Sequence, residues 1–156
     1  MLSRNEHTRL LLESSKLGDE DRILQLLQED DIAVNADDEL MMTPLHYAVI
    51  HQQPEVVRAL LRNPFISMNE LNNERKAALH LAAQYPNKEI TDALLNAFQQ
   101  NTQNSSFIWN SLYRISIEND NVYMIEELCK RGIVDVTKLK GIIHPVYQAA
   151  KAGKSE

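Results

Sequence analysis

The sequence predicts an all-α solenoid of helix-turn-helix units joined by short hairpin-like loops. Three observations carry the prediction: a motif that returns after 34 residues, apolar pairs that keep the same register four times, and a helix-starting residue ahead of those pairs. The motif Thr43-Pro44-Leu45-His46-Tyr47-Ala48 returns as Ala77-Ala78-Leu79-His80-Leu81-Ala82. The pairs are Leu26-Leu27, Leu60-Leu61, Leu94-Leu95 and Leu128-Cys129. Val34-Asn35 likewise maps onto Met68-Asn69, and Glu55-Val56 onto Glu89-Ile90. A period of this size marks an array in which each unit buries its apolar face against its neighbours only.

Each unit is expected to hold two helices. In the first, about residues 5–37, Asp19 opens the helix that carries Ile23, Leu26 and Leu27. In the second, 38–71, Thr43 is a good N-cap and Pro44 a good first helical residue, because the ring sets φ and the missing N–H needs no partner there. That helix should run to about His51. Pro54 restarts the chain, and Val56, Val57, Leu60 and Leu61 then share one helical face. Asn87 precedes Ile90, Leu94 and Leu95 in the third unit, 72–105, and Asp120 precedes Met124, Ile125 and Leu128 in the fourth, 106–139. A partial unit, 140–156, opens with His144-Pro145-Val146-Tyr147-Gln148-Ala149-Ala150. The whole is expected to form one domain.

Thr-Pro-Leu-His-x-Ala followed by a Glu-Val-Val-x-x-Leu-Leu helix resembles the ankyrin repeat, and the resemblance extends over nearly the whole chain. It is nearly complete from Asp38 to Leu71 and clear from Asn72 to Ser105. Met41, Arg75 and Trp109 stand where the family has its hairpin glycine, and the period is 34 where about 33 is usual. The resemblance implies a non-catalytic module that binds a partner protein, as an adaptor, inhibitor or effector. It also implies structural histidines at His46 and His80, tying the first helix of a unit to neighbouring loops. Glu156 falls where Glu55 stands, so the last unit holds its first helix and lacks its second. Either the chain is the N-terminal part of a longer protein, which is the expectation, or the half unit, with Lys151, Lys154 and Glu156, is itself a sufficient polar cap; the alternative function is a targeting array for an enzyme domain beyond residue 156.

Composition narrows the partners. A net charge of −6 opposes sequence-independent binding to nucleic acid, which requires a positive surface to displace phosphate counterions. No stretch approaches the roughly 20 apolar residues of a membrane span, and the charged start around Leu10-Leu11-Leu12 is no signal peptide. The single cysteine, Cys129, makes no internal disulfide and occupies a core position, where it acts as a small hydrophobe. A cytoplasmic monomer is expected, in a host cytosol if the protein is a secreted bacterial effector.

Catalytic, metal and cofactor residues are not expected. His46 and His51 are five apart, outside the i, i+4 spacing with which two helical imidazoles share a zinc ion. Gly18, Gly132, Gly141 and Gly153 form no phosphate loop. The acidic runs Glu29-Asp30-Asp31 and Asp37-Asp38-Glu39 lack the alternating oxygens and central glycine of a calcium loop.

In the resembling family, the residues before the Thr-Pro step and after the first helix line the hairpin tips and the concave groove. The tip positions here are Leu40-Met41-Met42, Glu74-Arg75-Lys76 and Ile108-Trp109-Asn110. The groove positions are Ile50-His51, Gln84-Tyr85 and Glu118-Asn119. Pro44 fixes the helix start after Leu40, Met41 and Met42, so these three are expected to be exposed. Trp109 has two readings. It either anchors a partner at a third tip, or belongs to a helix begun early by Ser105 or Ser106, in which Phe107, Ile108, Leu112 and Ile115 also have helical spacing. The tips and groove together suit a partner with a mixed apolar and basic-to-neutral face that spans three repeats or more.

Overall fold

The computed structural model describes residues 2–100 and 106–134. The partial unit beginning at His144 and the expectations about Glu156 lie outside them. Among the described residues, eight helices alternate between two layers. The inner layer holds α1 (Arg4–Leu17), α3 (Pro44–Ile50), α5 (Ala78–Gln84) and α7 (Ser106–Glu118). The outer layer holds α2 (Glu20–Leu26), α4 (Pro54–Leu61), α6 (Lys88–Gln100) and α8 (Val122–Lys130). Each inner helix packs on the outer helix that follows it and on the inner helices on either side of it. That is the solenoid the period predicts.

The helix starts follow from local chemistry. Ser3 and Glu6 form a reciprocal capping box at α1, in which the Ser3 amide donates to Glu6 Oε2 at 2.7 Å. Asp19 Oδ1 accepts from the Arg22 amide at 3.0 Å, and Asn87 Oδ1 accepts from the Ile90 amide at 3.1 Å. Pro44 and Pro54 stand at the first turns of α3 and α4. In the fourth unit the capping residue is Asn121, not Asp120. Asp120 takes a left-handed φ of 51°, and Asn121 Oδ1 accepts from the Met124 amide at 3.0 Å. Asp19, Gln53, Asn87 and Asn121 then fall at a constant interval of 34 residues. Gly18 occupies the left-handed position ahead of Asp19, and a Cβ there would come within 1.9 Å of Gln53 Oε1.

One core runs the length of the array. Leu11, Ile23, Leu45, Leu60, Leu79, Ile90, Leu94 and Leu95 are fully buried in a cluster that continues to Leu128. Leu61 departs from expectation: it is only half-buried, at the surface beside α6. Cys129 is buried with Ile125, against Tyr113 and Ile117.

Candidate functional site

Two hairpins position the site, and each is fastened by one side chain. Asp38 Oδ1 accepts from the amides of Leu40 at 3.0 Å and Met42 at 3.1 Å. Asn72, 34 residues on, accepts from the amides of Glu74 and Lys76, both at 3.0 Å. Each fastened loop turns through a left-handed residue, Met41 at φ 57° and Arg75 at φ 60°. The hairpin bend is therefore kept where glycine is absent. The Asn73 amide donates to the Leu40 carbonyl at 3.1 Å, joining one hairpin to the next.

The histidines hold these hairpins to the inner helices. His46 Nδ1 accepts from the Thr43 amide at 3.0 Å, which leaves the proton on Nε2 to be donated to the Lys76 carbonyl at 3.1 Å. His80 repeats the arrangement: Nδ1 accepts from the Ala77 amide at 3.0 Å and Nε2 meets Ser111 Oγ at 2.7 Å. Burial, only partly offset by the Glu70 and Lys76 backbone, holds His46 below the usual imidazole range, and burial does the same to His80. Unfolded histidines take up protons as the pH falls through about 6.5, while these resist. The stability they contribute is thus full above that value and is lost as the pH falls below it, by up to about 1.4 kcal/mol per pH unit for each ring. Melting midpoints should drop between about pH 7.5 and pH 5.5, and equal midpoints would contradict two neutral, buried rings.

Between the hairpins and helices α3 and α5 lies a groove of about 480 Å³. Of the positions singled out in the sequence, Leu40, Met42, Ile50, Glu74, Lys76, Gln84 and Tyr85 line it. Leu40 is 53% exposed and Tyr85 43% exposed, which leaves large apolar surfaces facing the solvent. Met42 is not exposed as expected but 6% accessible. The left-handed turn at Met41 directs Met42 back toward the core, where Asn72 Nδ2 approaches its sulfur at 3.5 Å. Met41 stays exposed at the tip, and His51 stacks on Tyr47 with ring centroids 6.2 Å apart.

The third tip does not exist as a hairpin. α7 starts at Ser106, so Ile108, Trp109 and Asn110 are helical. Ile108 is buried, contrary to its expected place at a tip. Trp109 packs edge-on against Phe98 with centroids 4.7 Å apart, the helical reading of the two. Asn110 is exposed beside Phe107 and Arg114. Glu118 and Asn119 are exposed at the end of α7, with Asn119 Nδ2 donating to the Ile115 carbonyl at 2.8 Å. None of these lines the groove. Trp109→Ala should therefore lower stability by about 2–3 kcal/mol, below the cost for a fully buried tryptophan. A thermal melt matching the wild type would return Trp109 to the surface.

The groove also contains residues that the sequence pattern left out: Tyr47, Asn72, Asn73 and Leu81. The Tyr47 hydroxyl donates a hydrogen bond to Asp38 Oδ2, and Lys16 Nζ lies 4.2 Å from the centre of the Tyr47 ring. Burial and the Asp38 carboxylate push the Tyr47 phenol up to about 12. Burial would raise Asp38, but hydrogen bonds from Tyr47, Met42 and Leu40 outweigh it and hold the carboxyl below its usual range. Tyr47 and Leu81 share the variable position of Leu-His-x-Ala, so their 34-residue spacing was the available signal.

Among the described residues no group of three or more His, Cys, Asp or Glu could hold a metal ion, and no helix is long and apolar enough to cross a membrane. A family model described as ankyrin repeats, in three copies, matches residues 10–105.

Proposed function

The chain belongs to the ankyrin-repeat family, whose members are generally protein-protein interaction modules and typically non-catalytic, and from that premise we propose that it binds a partner protein through the groove between its two hairpins. The observation that supports this most is the convergence of Leu40, Ile50 and Tyr85 with Glu74, Lys76 and Gln84 on one concave surface. Aromatic and aliphatic anchors beside a few polar groups are the usual composition of an interface centre. The neighbouring ring nitrogens and the Asp38 carboxylate are occupied in holding the scaffold, which favours binding over turnover. An adaptor, inhibitor or effector role fits this surface. So does a targeting array for a downstream enzyme domain.

The test compares capture from cell lysate by the wild type and by Leu40→Ala and Tyr85→Ala. Loss of an anchor should cost about 2 kcal/mol of binding, roughly a thirtyfold drop in affinity, while the melting curve moves little. A partner held equally well by all three proteins places the binding surface elsewhere.

A further inference from the structure

We infer, resting on the groove reading above, that the occupant is an extended peptide segment of the partner, with a large apolar side chain next to a lysine or arginine. Three observations point to it.

Leu40, Met42, Ile50 and Leu81 supply the aliphatic part of the groove's lining, and its volume of about 480 Å³ has room for a large side chain. On its walls stand two side-chain amides, Asn73 and Gln84, and neither makes a hydrogen bond among the described residues. A carboxamide offers both a donor and an acceptor, which matches a peptide unit. An extended segment leaves its N–H and C=O groups open to such pairing, whereas a helix satisfies them internally.

Charge selects the neighbour. The two hairpins carry Asp37, Asp38, Glu39, Glu70 and Glu74. Against these stand only Arg75 and Lys76 on the same loops. Lys76 is already paired with Glu74 at 2.6 Å, and the nearby Lys16 lies over Tyr47. Asp37, Glu39 and Glu70 are exposed and make no ion pair among the described residues. Glu74 itself lines the groove and is well exposed. The negative excess of the two hairpins that border the groove attracts a cation and repels an acidic segment.

The test is selection from a display library of random peptides on the full chain, followed by fluorescence anisotropy with a labelled peptide from the enriched pool. The expected pool is rich in Leu, Met or Phe beside Lys or Arg and poor in Asp and Glu. Gln84→Leu and the double variant Glu39→Lys with Glu74→Lys should each weaken the labelled peptide about tenfold, with melting curves close to the wild type. Raising the salt should weaken it too. An acidic or charge-indifferent pool, a peptide unaffected by these variants, or a library from which nothing is retained overturns the inference. Peptides that bind but ignore Leu40→Ala and Tyr85→Ala overturn the groove reading itself. Peptides lost in those two variants but lacking a cation leave the groove reading standing and sink only the present inference.

Discussion

Truncating Leu94 to alanine should cost about 2–5 kcal/mol, one of the largest single effects available in the chain. Leu94 is fully buried on α6, which packs against both α4 and α5. Removing its branched end forfeits the transfer energy of the lost carbons and leaves a cavity that two neighbouring helices can only partly close. Domains of this size are stabilised by roughly 5–15 kcal/mol in total, so the change removes a large share. In a quasi-one-dimensional array it also weakens the interface through which the flanking units support each other. The melting midpoint should fall by roughly 5–15 °C. Leu60→Ala should behave alike, since Leu60 is equally buried, while half-buried Leu61 should cost less. Circular dichroism melts that leave Leu94→Ala at the wild-type midpoint would sink the shared-core account.

The second large effect is expected at Asn121, through polar rather than apolar loss. This side chain is 3% exposed and makes three hydrogen bonds. Its oxygen caps α8 at the Met124 amide, and its nitrogen donates to the carbonyls of Ala82 at 3.2 Å and Ala83 at 3.1 Å on α5. Alanine removes the cap, worth about 1 kcal/mol. It also leaves buried acceptors without a donor, at about 1–3 kcal/mol. The expected total for Asn121→Ala is about 2–4 kcal/mol by urea denaturation. Asn121→Asp separates the parts, since a carboxylate keeps the cap but cannot donate to either carbonyl. Aspartate restoring full stability would show that the bridge to α5 contributes nothing.

The legible parts of this fold are those determined by chemistry within a turn or two of chain. Thr43-Pro44, Pro54, Asp19 and Asn87 start helices because the first amides need acceptors or a fixed φ, and neither requirement depends on distant residues. The first member of each apolar pair was legible because its burial repeats with the period, whereas the second member varies, half-buried at Leu27 and Leu61 but buried at Leu95 and Cys129. The site was half legible. Met42 was placed outside because Pro44 fixes where the helix begins but says nothing of how the preceding loop turns. That turn is decided by Asp38, four residues upstream, whose counterpart Asn72 was visible at the same interval but not linked to it. At the third such position Ser106 lies inside α7, no hairpin forms, and Ile108 and Trp109 are drawn toward Phe98 and the core.

The left-handed residues at the two hairpin tips have a consequence for what those positions can become. An L-residue there costs roughly 1–2 kcal/mol against glycine in the folded state. Glycine gives back roughly 0.5–1 kcal/mol through the freedom it adds to the unfolded chain. Both effects are much the same for any unbranched L-residue, and Asp38 and Asn72 hold the bend through backbone amides whatever side chain stands at the tip. Met41 and Arg75, both exposed, are thus positions where side-chain identity is uncoupled from folding. An unbranched side chain of any charge or polarity can be exchanged there at nearly constant stability, which makes the tips the part of the molecule freest to change its recognition chemistry while the scaffold beneath stays the same.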